Sequence, residues 1–225
     1  MSTTDENIIT QLRHLAHVGE PMDLLNVYQG LPVLYRAQAL LVGDDRAVIS
    51  FQQPEAVCLQ LEGKTTILSE LLAGPVNAAV EDVDLQAGRA VVHSFSYSFK
   101  VGHRMSVRVT LAHPASATLS SGLQQLTGTA ADIGMTGVGV ILSTPEAAQT
   151  LRRGAVVLLR LTLEAAPLEL SGLVRYVRGS RVGVTLMPTA AARSLHQYVH
   201  LRQEEILNEL RAHYQAAGGA LAAAG

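Results

Sequence analysis

Cysteine occurs once in this sequence, at Cys58, which rules out an intrachain disulfide and a cysteine-rich zinc site. It sits in the apolar run Ala56-Val57-Cys58-Leu59, the setting of a packed, inert thiol. Tryptophan is absent and aromatic residues make up only 4%. The alternation of aromatic and basic side chains on which single-strand binders stack bases is therefore missing. A large charge of one sign is missing too. The formal net charge is −2, too little for a broad basic field, and no nucleic-acid partner is expected. No apolar run approaches the roughly 18 residues that a membrane span needs. The opening Met1–Asn7 is polar and acidic, unlike a signal peptide. A cytoplasmic protein without a membrane span is the expectation.

Catalytic signatures are also lacking. There is no P-loop, no Rossmann glycine fingerprint and no GxSxG elbow. His196 and His200 stand four apart on a predicted helix, the spacing of HExxH, but Gln197 replaces the general-base glutamate, and an amide cannot take that proton. No catalytic residue, metal site or cofactor is expected, and the chain does not read as an enzyme.

What is present is core. With 48% hydrophobic residues over 225 positions, the chain can bury two ordinary domains. A short helix with the stripe Ile8, Ile9, Leu12, Leu15 and Val18 opens it. Short apolar runs separated by turn signals follow, at Val33–Leu41, Ala47–Phe51, Val57–Leu61, Asn77–Val83 and Ala90–Phe99. Arg104 to Leu111 alternates with period two, with Met105, Val107, Val109 and Leu111 on one face and two arginines on the other. Further strands are predicted at Leu126–Ala131, Val138–Leu142, Ala155–Leu163, Leu168–Val177 and Arg181–Leu186. Asp132–Gly137 reads as a tight turn, and Arg175, Arg178 and Arg181 read as residues of a hairpin around Gly179-Ser180, with a supporting role near a ligand as the alternative. Arg193–Tyr214 reads as a helix with the stripe Leu195, Val199, Ile206 and Leu210. That stripe predicts docking on the helix's own barrel, with a homodimer seam as the alternative.

Arg104-Met105-Ser106-Val107-Arg108 and Asp132-Ile133-Gly134-Met135-Thr136-Gly137, in this order, resemble the RxxxR and [DN]xSxxG motifs of the PilZ domain family. Gly134 stands where that family has serine. The resemblance covers about residues 99–214, and the strand-rich segment before it resembles the YcgR-like flagellar-brake layout. It implies a mainly β fold of two small antiparallel β-barrels with a C-terminal α-helix. Residues 1–98 would form a PilZ-N-like, split-barrel-like domain, 99–215 the PilZ domain and 216–225 a flexible tail.

The same resemblance implies a bacterial second-messenger receptor for cyclic di-GMP. The ligand would bind Arg104, Arg108, Asp132, Gly134 and Gly137, with His103 as an additional candidate. It implies a protein target in the flagellar motor, a polysaccharide synthase or the pilus machinery; the alternative is a PilZ protein that binds no nucleotide and acts as an interaction adaptor. The residue chemistry agrees with a dinucleotide. An arginine fork pairs with phosphate oxygens or with guanine O6/N7, an ionised carboxylate accepts from guanine N–H, and a glycine admits close approach. Arg104 and Arg108 on one extended strand would stand about 13 Å apart. A missing serine hydroxyl is worth on the order of tenfold in affinity.

Overall fold

The computed structural model describes residues 3–98, 107–163, 166–189 and 192–218. The chain divides into two compact units: Met1–Tyr28, Pro32–His103 and Ile206–Gly225 form the first, and Gln29–Leu31 with Arg104–Glu205 the second. The architecture is mainly β, with two closed antiparallel barrels and a C-terminal helix.

In the first unit, helix α1 (Thr3–Val18) precedes strands β1 (Met22–Tyr28), β2 (Leu31–Val42) and β3 (Arg46–Phe51). Helix α2 (Val57–Glu62) leads to β4 (Lys64–Leu68), β5 (Val76–Asp84) and β6 (Arg89–Tyr97). The strands close in the order β1-β2-β3-β6-β5-β4. Period-two alternation sends Val33, Tyr35, Ala37 and Ala39 of β2 inward, opposite Ile49 and Phe51 of β3. Ile8, Ile9, Leu12 and Leu15 of α1 are buried as the stripe predicts, whereas Val18 is exposed. Inside the barrel, Asn26 Oδ1 accepts from Tyr35 Oη and Thr65 Oγ1, both at 2.9 Å, and Asn26 Nδ2 donates to the Lys64 carbonyl. This buried amide is thus satisfied at both ends.

The strand expected over Val57–Leu61 is a helix. A short apolar run does not distinguish the two states by periodicity, and the flanks decide. Pro54 starts a 3₁₀ turn that leads into α2, and Gly63 at φ 62° ends it in the left-handed region. Cys58 is buried in this helix.

The second unit contains β7 (Arg108–Val109), β8 (Ala115–Ser121), β9 (Gln124–Gly134) and β10 (Gly137–Leu142). Helix α3 (Pro145–Gln149), β11 (Val156–Leu163), β12 (Ala166–Arg178), β13 (Arg181–Leu186) and α4 (Ala192–Ala216) follow. The order β10-β13-β12-β11-β8-β9 closes through the β9–β10 pairing, and β7 lies along β9. The strand expected over 104–111 is, in its described part, the two residues of β7. It ends because Thr110 N–H donates to the Gln29 carbonyl at 2.7 Å and not to β9.

All four predicted stripe residues of α4 are buried. Residues 192–205 count with the second unit and 206–216 with the first. Leu195 and Val199 are buried in the former, and Ile206, Leu210 and Tyr214 in the latter. Among the described residues, no helix is long and apolar enough to cross a membrane. The tail expectation for 219–225 lies outside the described residues.

Candidate ligand site on the second barrel

The Asp132–Gly137 segment is a β-hairpin. Asp132, Ile133 and Gly134 end β9, Met135-Thr136 make the turn, and Gly137 opens β10 opposite Gly134. Ile133 points into the core, fully buried, so alternation sends the Asp132 side chain outward. β7 pairs Arg108 with Gly134 and Val109 with Ile133, which puts Arg108 on the same outer face as Asp132. The two meet although 24 positions separate them: Arg108 Nη1 donates to Asp132 Oδ1 at 2.7 Å.

The glycines are explained by what lies on them. A Cβ on Gly134 would stand 2.6 Å from the Val107 carbonyl oxygen and 2.9 Å from Arg108 Cγ. On Gly137 it would meet the Val184 carbonyl at 2.9 Å and Arg108 Nη2 at 3.2 Å, and on Gly139 it would meet Asp132 Oδ2 at 2.7 Å. Arg108 therefore crosses the β9–β10 hairpin over two bare backbones, and the Asp132 carboxylate rests on a third. The room at position 134 is taken by a neighbouring strand, so the serine of the family motif has no space here without a backbone shift.

Arg181, at the start of β13, donates from Nη2 to Asp132 Oδ2. Asp132 is thus clamped between two guanidinium groups, its side chain 14% exposed against 24% for Arg108 and 47% for Arg181. Burial works against the charge on Arg181, but the Asp132 carboxylate and the Tyr176 hydroxyl outweigh it and hold its pKa above the ordinary arginine value. The Tyr176 ring lies over Gly183, where a Cβ would clash with Cε1, and the Arg178 guanidinium stands 5.6 Å from the ring centroid.

The hairpin and β7 are fixed from behind. His196 Nε2 donates to the Met135 carbonyl at 3.0 Å, and Leu186 N–H to the Thr136 carbonyl at 2.9 Å. The buried Arg202 donates from Nε to the Thr110 carbonyl at 3.2 Å, and it also bonds Glu205 and Gln29. His200 faces Glu204 one turn on, so the two histidines of the HxxxH spacing have different partners. Among the described residues, no group of three or more metal-ligating side chains converges.

Residues 102–201 match the PilZ domain family. No curated protein matches the chain. Among solved structures it is similar to YcgR from Escherichia coli in complex with c-di-GMP, at 14% identity and a TM-score of 0.40, over 90% of this chain and 92% of that one. It is similar to the Bacillus subtilis inhibitor of motility MotI, at 12% identity and a TM-score of 0.41, over 83% and 97%. A third is the K. pneumonia MrkH–c-di-GMP complex, at 14% identity and a TM-score of 0.42, over 94% and 97%.

Of the residues predicted for the site, Arg108, Asp132, Gly134 and Gly137 come together; His103 and Arg104 lie outside the described residues. Tyr176 joins the cluster without having been predicted in it, and so does Arg181, which the sequence reads first as a turn residue and only in the alternative as a supporting one. Arg181 reads in the sequence as a residue of the β12–β13 hairpin. It does flank that turn, at Gly179-Ser180, and its side chain crosses to β9. The available signal was period two: with Val182 and Val184 inward, Arg181, Gly183 and Thr185 must face out.

Proposed function

We propose that this chain is a cyclic di-GMP receptor, which binds its ligand without transforming it. The ligand docks on the outer face of the second barrel, at Arg108, Asp132 and the bare backbone of Gly134 and Gly137. Arg104, with His103 beside it, adds contacts from the segment that precedes β7. The observation that carries this reading is the meeting of Arg108 and Asp132 over two glycines, inside the segment that matches the PilZ domain. An arginine fork serves phosphate or guanine O6/N7, and a carboxylate fixed beside it accepts from the guanine N–H edge.

Calorimetric titration of the full chain with cyclic di-GMP tests it, with cyclic di-AMP as the control for base identity. Saturable micromolar or tighter binding of the guanine ligand is expected. Arg108→Ala should weaken it at least tenfold, since a charge-assisted contact is worth about 1.5–3 kcal/mol. Absence of heat with the wild-type chain would end the receptor reading.

One observation favours a second reading. Arg108 and Asp132 already satisfy each other, so a ligand has to compete with an existing ion pair. An adaptor that binds no nucleotide would keep that pair for stability alone, and the same titration separates the two. In the receptor reading, contacts to Arg104, which stands in the connection between the units by chain order, bias the arrangement of the units. A ligand shifts such an equilibrium only by its differential affinity for the two arrangements. Small-angle scattering profiles should therefore change at saturation; unchanged profiles would remove the switch and leave the binding. The downstream target, in the cytoplasm, would be the flagellar motor, a polysaccharide synthase or the pilus machinery.

A further inference from the structure

We propose that Arg181 is a third arginine contact for the cyclic dinucleotide, directed at a phosphate; this rests on the receptor reading above. Arg108 and Arg181 donate to the two oxygens of one carboxylate, so their guanidinium groups are held within a few ångströms of each other. Arg178 adds a third cation: it is the direct cross-strand partner of Arg181 in the β12–β13 register and stands over the Tyr176 ring. Like charges directly opposite on neighbouring strands repel. Among the described residues, the salt bridges of this cluster run only through Asp132. Three positive charges thus share one negative charge, and the two missing charges are what a cyclic dinucleotide's two phosphates supply.

Exposure points the same way. Asp132 is sheltered while Arg181 is about half exposed, so the cluster presents cation to solvent. Arg181 bonds Asp132 through Nη2 and also bonds the Tyr176 hydroxyl; of the five N–H donors of the planar fork, others remain for an anion. Beneath, Gly139 pairs with Asp132 on one side and with Gly183 on the other, and the Asp132 carboxylate and the Tyr176 ring lie on these two glycines, between Arg108 and Arg181.

Arg181 could instead act only by positioning Asp132, and the experiment is built to tell. Cyclic di-GMP affinity is measured on the full chain for wild type, Arg181→Ala, Arg181→Lys, Asp132→Asn and the Asp132→Asn/Arg181→Ala double variant, with Arg108→Ala alongside. Thermal melts check folding of each, and Arg181→Gln serves as a second neutral replacement. The expected result is a loss on the order of tenfold or more for Arg181→Ala, a smaller loss for Arg181→Lys, and a similar alanine effect in the Asp132→Asn background. Wild-type affinity in Arg181→Ala, or an effect that vanishes once Asp132 is asparagine, would overturn the contact. The receptor reading would then still stand on the loss at Arg108→Ala. A wild-type chain that binds no cyclic di-GMP would overturn both.

Discussion

The two barrels are closed by similar antiparallel ladders, yet they use glycine in opposite ways. No strand of the first barrel contains a glycine; Gly63 and Gly88 sit between strands at positive φ, where a turn or a helix end needs them. The second barrel carries Gly128, Gly134, Gly137, Gly139, Gly172 and Gly183 inside strands, all without positive φ. Glycine in a strand interior weakens it, so such a row calls for a reason. All six have a close neighbour, and at four of them it includes a side chain of the site: Arg108 over Gly134 and Gly137, Asp132 over Gly139, Tyr176 over Gly183. The ion pairs at Asp132 stand apart as well. Arg13–Asp44 and Arg46–Glu81 in the first unit, and Arg160–Glu169 in the second, are solvated at both ends, whereas Asp132 is largely covered by its two arginines. The first barrel's wall is finished by its own side chains; the second barrel's outer wall is cleared and charged.

The contrast can be broken from either side, and the core gives the largest effect. Ile49, fully buried in the first barrel, should cost about 2–5 kcal/mol when cut to alanine. Denaturant melts of Ile49→Ala should show that loss, while cyclic di-GMP affinity, measured well below the transition, should stay at the wild-type value. A large drop in affinity would mean that the first barrel takes part in the site. A smaller effect is expected from the cleared wall. Gly134→Ser puts a Cβ 2.6 Å from the Val107 carbonyl, and overpacking of this kind costs about 1–3 kcal/mol. The variant should melt earlier and bind the ligand more weakly, although it restores the residue of the family motif. Tighter binding with unchanged melting would show that β7 yields easily.

Much of this was legible in the sequence where alternation is strict and apolar. The strands over β2, β3, β9, β10, β11 and β13 and the α4 stripe follow from periodicity alone. Three strands escaped for want of apolar contrast. β8 alternates correctly, with Ala115, Ala117 and Leu119 buried, but its Ala-Ser-Thr composition looks like a loop. β4 hides its register behind Thr65, an inward residue held by Asn26 and not by hydrophobicity. In β1 the inward row likewise includes a polar residue, Asn26. The site divided along similar lines. Motif spacing pointed to Arg108, Asp132, Gly134 and Gly137, which the fold brings together, whereas Arg181 reaches Asp132 from 49 positions away through the closure of a barrel. Arg202 on α4 shows a related limit. It is charged, so it breaks the apolar stripe in the sequence, yet it is buried because carbonyl and side-chain oxygens receive its N–H groups.

The smallest effect is expected at Cys58, in the finished barrel. Burial in α2, with Glu62 and Glu55 adding repulsion, pushes its thiol up to about 12. The reactive species is the thiolate, so the shift works against reaction: at pH 8 about one thiol in ten thousand is ionised. A thiol-specific reagent should therefore leave the native chain unlabelled at pH 8, label it roughly tenfold faster for each unit of pH towards 12, and label it fully and promptly in denaturant. Because the neutral thiol sits in an apolar setting, Cys58→Ala should change ligand affinity not at all. Prompt labelling of the folded chain at pH 8 would mean that α2 opens to solvent, and the first barrel could then no longer be treated as the closed partner in the comparison.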